Sequence, residues 1–248
     1  VILFFEGSEL CNNYNEILEI SIPISYFKSL NKLVKNTEQT IEYVEPTINY
    51  IDISKPVVAL TFDDGPSVYT DNILNTLQKY DSNATFFVLG NKIEDYSDTI
   101  KKMYKNGNEI GNHSYNHRWL TKLSSEQQRE QIEKTQEIIK NITNYVPIYL
   151  RPTYGSVNKK LRNNTDLKIV LWNIDTKDWK YKNVDTIVNN ALKEVEDGSI
   201  ILMHDTYKRT SDAVEKIVPE LINQGYQLVT ISELEEVKKI RKKINETG

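Results

Sequence analysis

The sequence predicts an α/β fold of parallel strands, and three observations point there. From about Ser54 onward, short apolar or β-branched runs alternate with amphipathic stretches. Strand–helix alternation through a whole domain implies parallel strands joined by helical crossovers. The titratable residues fall just after the strand runs, at the C-terminal strand ends where such folds gather their chemistry.

Taken in order, residues 1–53 differ in character from the rest. Segments 1–5, 17–24 and 41–44 are β-like runs joined by polar Asn, Lys and Thr stretches, with no reactive constellation among them. They read as an N-terminal extension or small subdomain. Strands are then expected at 57–62, 84–89, 109–112, 148–150, 168–174, 199–203 and 227–231, with helices at 68–79, 96–106, 125–141, 184–196 and 211–223. Ser124 and Ser125 ahead of Glu126, Gln127 and Gln128 form an N-cap region. Gly107 and Gly225 stand where helices should stop. About seven parallel strands fit a closed or nearly closed barrel, with a doubly wound open sheet as the rival. Residues 54–235 form the main domain. Residues 236–248 are a charged helical tail, in which Lys238, Lys239, Arg241, Lys242 and Lys243 coat a solvated helix.

At 248 residues the chain is long enough for one large α/β domain. Its net charge of −4 argues against a nucleic-acid partner, which usually requires a basic face. The single cysteine, Cys11, makes no internal disulfide, and no catalytic-thiol constellation surrounds it. No apolar run reaches transmembrane length. The chain begins at Val1, as expected of a trimmed or processed product, so localisation is not read from any segment present.

All three histidines follow strand runs: His113 and His117 in H-S-Y-N-H, and His204 after Ile200-Ile201-Leu202-Met203. Asp63 and Asp64 end another run and precede the turn Gly65-Pro66. Adjacent acids on an extended backbone point apart, so one can bind a metal while the other faces substrate. His113 and His117 with Asp64 make a three-ligand set, which leaves a catalytic metal room for water and substrate. Such a metal lowers the pKa of water and polarises a carbonyl. The plainer readings are a helix cap or Asx-turn for the acids and surface histidines for the pair. Arg151, before Pro152-Thr153-Tyr154-Gly155, can clamp a carboxylate, or form only a surface salt bridge. The Pro/Gly bracket fixes its loop and can aim a backbone N–H at an oxyanion. Asp178 can orient an imidazole, and Trp179 can wall a small apolar pocket or sit in the core. His204 is a candidate general acid, or else a core histidine bonded to Asp205 or the backbone.

Together T-F-D-D-G-P, H-S-Y-N-H, R-P-T-Y-G, D-T-K-D-W and I-I-L-M-H-D resemble the polysaccharide deacetylase (NodB-homology) family of carbohydrate esterases, over about residues 56–232. The resemblance implies a distorted (β/α) barrel that removes N-acetyl groups from aminosugar polymers. By position, Asp63 resembles the catalytic base, Arg151 its tether, and Asp64, His113 and His117 the metal triad. The Tyr154 backbone N–H resembles the oxyanion donor, His204 the acid and Asp178 its partner. Leu202 and Trp179 resemble the lining of the acetyl-methyl pocket. Zinc suits these ligands, and cobalt or nickel also fit. The implied partner is a glycan polymer, most plausibly peptidoglycan N-acetylglucosamine, with no protein partner implied. Such a substrate implies an extracellular or cell-surface location. Chitin oligomers, O-acetyl xylan and N-acetylmuramic acid are alternative substrates, and a silent glycan-binding module is an alternative function. Two positions depart from the family pattern. Thr153 replaces a second proline and is expected to loosen the Tyr154 loop. Arg118 replaces a proline and is expected either to contact substrate or to lie in solvent.

Overall fold

Strand β1 (Val57–Asp63) runs through the middle of the sheet and is buried along its whole length. In this computed structural model, which describes residues 51–247, the remaining strands are β2 (Thr85–Val88), β3 (Glu109–Asn112), β4 (Tyr149–Leu150), β5 (Lys168–Ile169), β6 (Ile174–Asp175), β7 (Ile200–His204) and β8 (Gln227–Leu228). The β-like runs at 1–5, 17–24 and 41–44, and Cys11, lie outside the described residues. Every strand pairing is parallel, and the order is β5-β4-β3-β2-β1-β7-β6, with β8 against the first residues of β1. The sheet curls into a distorted barrel that stays open between β5 and β6.

Side-chain alternation along β1 explains its apolar sequence. Val58, Leu60 and Phe62 face the helices and pack with Ile73, Leu74, Phe86 and Ile217. Val57 and Ala59 face the inside, with Phe87, Tyr149, Val229 and Leu234. A strand covered on both faces reads as a continuous apolar run. The same alternation sends Thr61 and Asp63 to the inner face.

The helices are α1 (Thr70–Lys79), α2 (Gly90–Ile93), α3 (Ser97–Lys105), α4 (Ser125–Thr143), α5 (Lys159–Asn163), α6 (Val184–Leu192), α7 (Lys208–Asn223) and α8 (Ile231–Thr247). The five expected helices are present, and α2 and α5 are additional. Ser124 caps α4 in a reciprocal capping box with Gln127. Gly107 and Gly225, both with positive φ, follow the ends of α3 and α7.

Two expected strands are corrected. The run 168–174 is not one strand but two short ones on opposite edges of the sheet, and the segment between them carries carbonyls used elsewhere. The run 227–231 ends as a strand at Leu228, because Thr230 and Glu233 bond reciprocally and start α8. Helix α8 is more than a solvated tail: Ile231, Leu234 and Val237 join the inner apolar cluster. Arg241 reaches back to the Ile53 carbonyl (2.7 Å) and Asp197 (2.6 Å), while Lys238, Lys239, Lys242 and Lys243 stay exposed. Among the described residues no helix is long and apolar enough to cross a membrane.

Candidate active site

The C-terminal strand ends bring the predicted residues to one place. Asp63 at the end of β1 pairs in register with His204 at the end of β7, and Thr61 pairs with Leu202. Ile201 and Met203 belong to the helix-facing core, so Leu202 and His204 share the inner face with Thr61 and Asp63. Leu202 is buried there.

Arg151, just past β4, is wholly buried, which removes the surface-salt-bridge reading. One of its terminal nitrogens donates to Asp63 Oδ1 (2.9 Å) and Thr61 Oγ1 (2.6 Å). The other donates to the Leu171 carbonyl (3.1 Å), and Nε donates to the Val170 carbonyl (3.4 Å). Those carbonyls lie in the break between β5 and β6. The unzipped seam therefore supplies the acceptors that fix the guanidinium, and the guanidinium fixes Asp63.

Asp64 turns the other way, with φ at 71°, and faces the two histidines. Its Oδ1 lies 3.4 Å from His113 Nε2 and 3.2 Å from His117 Nε2. One ligand atom from each of the three residues falls within 4.8 Å of the others. His113 Nδ1 donates to the Arg151 carbonyl (2.6 Å), which leaves the Nε2 lone pair pointing at Asp64. Asp64 Oδ1 is buried with no hydrogen-bond partner. A buried orphan oxygen facing imidazole lone pairs is costly unless a cation sits among them. By that test the donor set fits a divalent metal. With protons rather than a cation between these groups, burial pushes the Asp64 carboxyl up, but hydrogen bonding and positive charge from His113, with the charges of His204 and His117, outweigh it and hold it well below the usual carboxylate range. Burial keeps His117 below its ordinary value despite the pull of Asp64.

His204 bonds Asp178, not Asp205. Its Nδ1 lies 2.7 Å from Asp178 Oδ1, and its backbone N–H donates to Asp178 Oδ2 (2.7 Å). Asp178 is buried and also accepts from Thr210 Oγ1 (2.7 Å) and the Trp179 N–H (2.8 Å). Burial pulls the His204 imidazole down, but the Asp178 hydrogen bond and charge, with Asp63 and Asp64 behind them, raise it to about 9. The Trp179 side chain is half exposed, so the core reading fails for it. The helix-cap reading of Asp63 and Asp64 fails too: α1 begins at Thr70, and the residue at its N-cap is Tyr69, with no side-chain cap bond.

Tyr154 has φ 61° inside a single 3₁₀ turn (Thr153–Gly155), ahead of the turn's first bonded amide, Gly155. Its ring packs edge-on against His117, with centroids 4.7 Å apart. Thr153 does not loosen this loop. It is buried, its hydroxyl donates to the Arg118 carbonyl (2.8 Å) and it accepts from the Leu120 N–H (3.4 Å). The Arg118 side chain is exposed. Asp64, Ser114, His117, Tyr154 and Lys177 all hold positive φ, so unfavourable backbone gathers around the site.

Three contributors escaped the sequence reading. Thr61, which shares Arg151 with Asp63, was recoverable from the two-residue period. Lys92 donates from α2 to the Asp64 carbonyl (2.8 Å), a contact with no local signal. Asp205 accepts from Thr70 Oγ1 (2.5 Å), is pushed up to about 7 by burial, and lies so close to Gly65 that a Cβ there would come within 2.0 Å of its carboxylate. Only glycine fits the turn after the two acids.

Comparison with known proteins agrees with this geometry. The family profile described as Polysaccharide deacetylase matches residues 51–168. The chain is 45% identical over 215 residues to the peptidoglycan-N-acetylmuramic acid deacetylase PdaC of Bacillus subtilis, covering 86% of this chain but 46% of that protein, so it spans less than half of that relative. A peptidoglycan-N-acetylglucosamine deacetylase of Bacillus cereus is 39% identical over 197 residues, covering 76% of this chain and 72% of its own length. The solved structure of the Bacillus subtilis PdaC deacetylase superposes with a TM-score of 0.76 at 47% identity, covering 77% of this chain and 96% of that one. The chain belongs to the polysaccharide deacetylase family.

Proposed function

We propose that this protein is a metal-dependent hydrolase that removes N-acetyl groups from the aminosugars of peptidoglycan. One observation carries the reading: Asp64, His113 and His117 converge beside two oriented pairs, Asp63–Arg151 and His204–Asp178. The named activities of the relatives support the substrate class, and they divide between N-acetylmuramic acid and N-acetylglucosamine. A polymer of this kind lies outside the membrane, so the site of action is the cell surface.

The chemistry follows from the roles of the residues. Asp64, His113 and His117 hold the cation; zinc fits best. When bound, it supplies Lewis acidity that polarises an acyl oxygen and makes water more acidic. Asp63 receives the proton of the attacking water, and its carboxylate is aimed by Arg151 (2.9 Å). The Tyr154 N–H donates to the oxyanion as water oxygen bonds to the acyl carbon. His204 keeps Nδ1 on Asp178 and delivers the Nε2 proton to the sugar nitrogen as the C–N bond breaks. Acetate and a free amine leave. Leu202, on the inner face beside His204, and Trp179 border the acetyl methyl.

Incubation with peptidoglycan fragments should release acetate, read by mass spectrometry as loss of single acetyl masses, and a chelator should stop it. Chelator-resistant release would exclude the metal, and no release from any aminosugar polymer would sink the assignment. The pH profile gives a second test. His204 has its pKa raised, so its proton is present at neutral pH and lost as pH rises. The alkaline limb of kcat should therefore lie no higher than about 9, since the charge of a bound cation moves it down from there. Asp178→Asn removes the main raising influence and should shift that limb to lower pH. An unmoved limb would exclude His204 as the acid.

A further inference from the structure

The two departures from the family pattern, Arg118 and Thr153, meet in one hydrogen bond, and a surface is built on it. The Thr153 hydroxyl ties the 118–120 backbone to the Tyr154 turn. Thr121 Oγ1 and Ser156 Oγ (2.8 Å) and Asn158 Nδ2 to the Thr121 carbonyl (3.3 Å) continue the seam outward. Above it stand Trp119, 41% exposed, and Tyr154, 60% exposed, with ring centroids 4.8 Å apart. The rings lead away from metal ligand His117, whose imidazole meets Tyr154 edge-on. Lys122 Nζ lies 3.5 Å from the Trp119 ring centroid, and Arg118 and Lys122 are both exposed.

Large aromatic rings left in water but fixed from beneath present a preformed apolar surface, and preorganisation lowers the cost of binding. A flat ring face complements the C–H face of a pyranose. A sugar held over the metal triad would lay its neighbour in the polymer on these rings. The two exposed charges in this stretch, Arg118 and Lys122, are positive, and an exposed cation–ring contact is weak enough to yield to a carboxylate. Building on the hydrolase reading above, we propose that Trp119 and Tyr154 form a sugar-stacking subsite. Its cationic rim, Lys122 and Arg118, selects an aminosugar polymer bearing carboxylates, such as the lactyl and peptide acids of peptidoglycan, over a neutral one.

The test compares acetate release from muramyl-peptide glycan fragments, the same fragments methyl-esterified, and neutral chito-oligomers. In the wild type, esterification should raise KM, and added salt should erase the difference. Trp119→Ala should raise KM about tenfold on the acidic fragments with kcat little changed, and Trp119→Phe should restore most of it. Lys122→Gln should raise KM on the acidic fragments only, whereas Lys242→Gln on the far α8 surface should change nothing. Wild-type KM in Trp119→Ala overturns the stacking subsite, and a wild type indifferent to esterification overturns the charge selection. If the wild type releases acetate from none of the three, the hydrolase reading fails instead. Calorimetric binding of the acidic fragments to wild type and Trp119→Ala then decides the subsite separately, with equal affinities overturning it.

Discussion

His113→Ala should leave the protein without bound metal and without measurable acetate release. The imidazole is buried between Arg151 and Asp64, with Nδ1 fixed by the Arg151 carbonyl and Nε2 facing Asp64 Oδ1. Losing only an outer partner of a metal-bound histidine typically costs about 10–100-fold in metal affinity, so losing the ligand itself costs more. Elemental analysis of the purified variant reads metal content directly. His117→Ala separates ligand loss from misfolding, because His117 is only partly buried and leaves a smaller packing defect. Both variants should lose metal, and circular dichroism should show His117→Ala folded. Full metal occupancy in either would exclude the triad.

Asp63→Asn should retain metal and lower turnover by about 10²–10⁴-fold, the usual worth of a positioned proton transfer. The substitution is nearly isosteric, and its amide oxygen still accepts from Arg151. What disappears is the capacity to take a proton from water. Stability should fall as well. Breaking a buried ion pair costs about 3–5 kcal/mol, and the retained hydrogen bond recovers part of that. Metal analysis beside kcat makes the distinction: near-normal kcat with metal present would remove Asp63 from the role of base.

Much of this site was legible because strand geometry is periodic. An apolar run that ends in Asp63-Asp64, or in His204, places those side chains at a strand end whatever the rest of the molecule does. The H-S-Y-N-H spacing likewise needs only a local turn. Residues whose roles depend on distant partners were harder to read. The break at 168–174 has no strong local signal, since the run is apolar enough for a strand. It is explained only by Arg151 reaching across for the Val170 and Leu171 carbonyls. Thr153 looked like a weakened proline, because its hydroxyl's partner, the Arg118 carbonyl, lies 35 residues away. The Thr230–Glu233 cap was a local signal masked by the apolar residues around it.

The gap between β5 and β6 bears on how this scaffold tolerates engineering. Extending β5 through residues 170–173 into β6 as one continuous strand would look like a gain in regularity and cohesion. It would also reclaim the carbonyls that anchor Arg151, releasing a buried cation and the acid it steers. Variants selected for heat resistance alone are therefore expected to drift toward closure at this gap and to lose turnover as they do. In this barrel the missing rung is a catalytic asset.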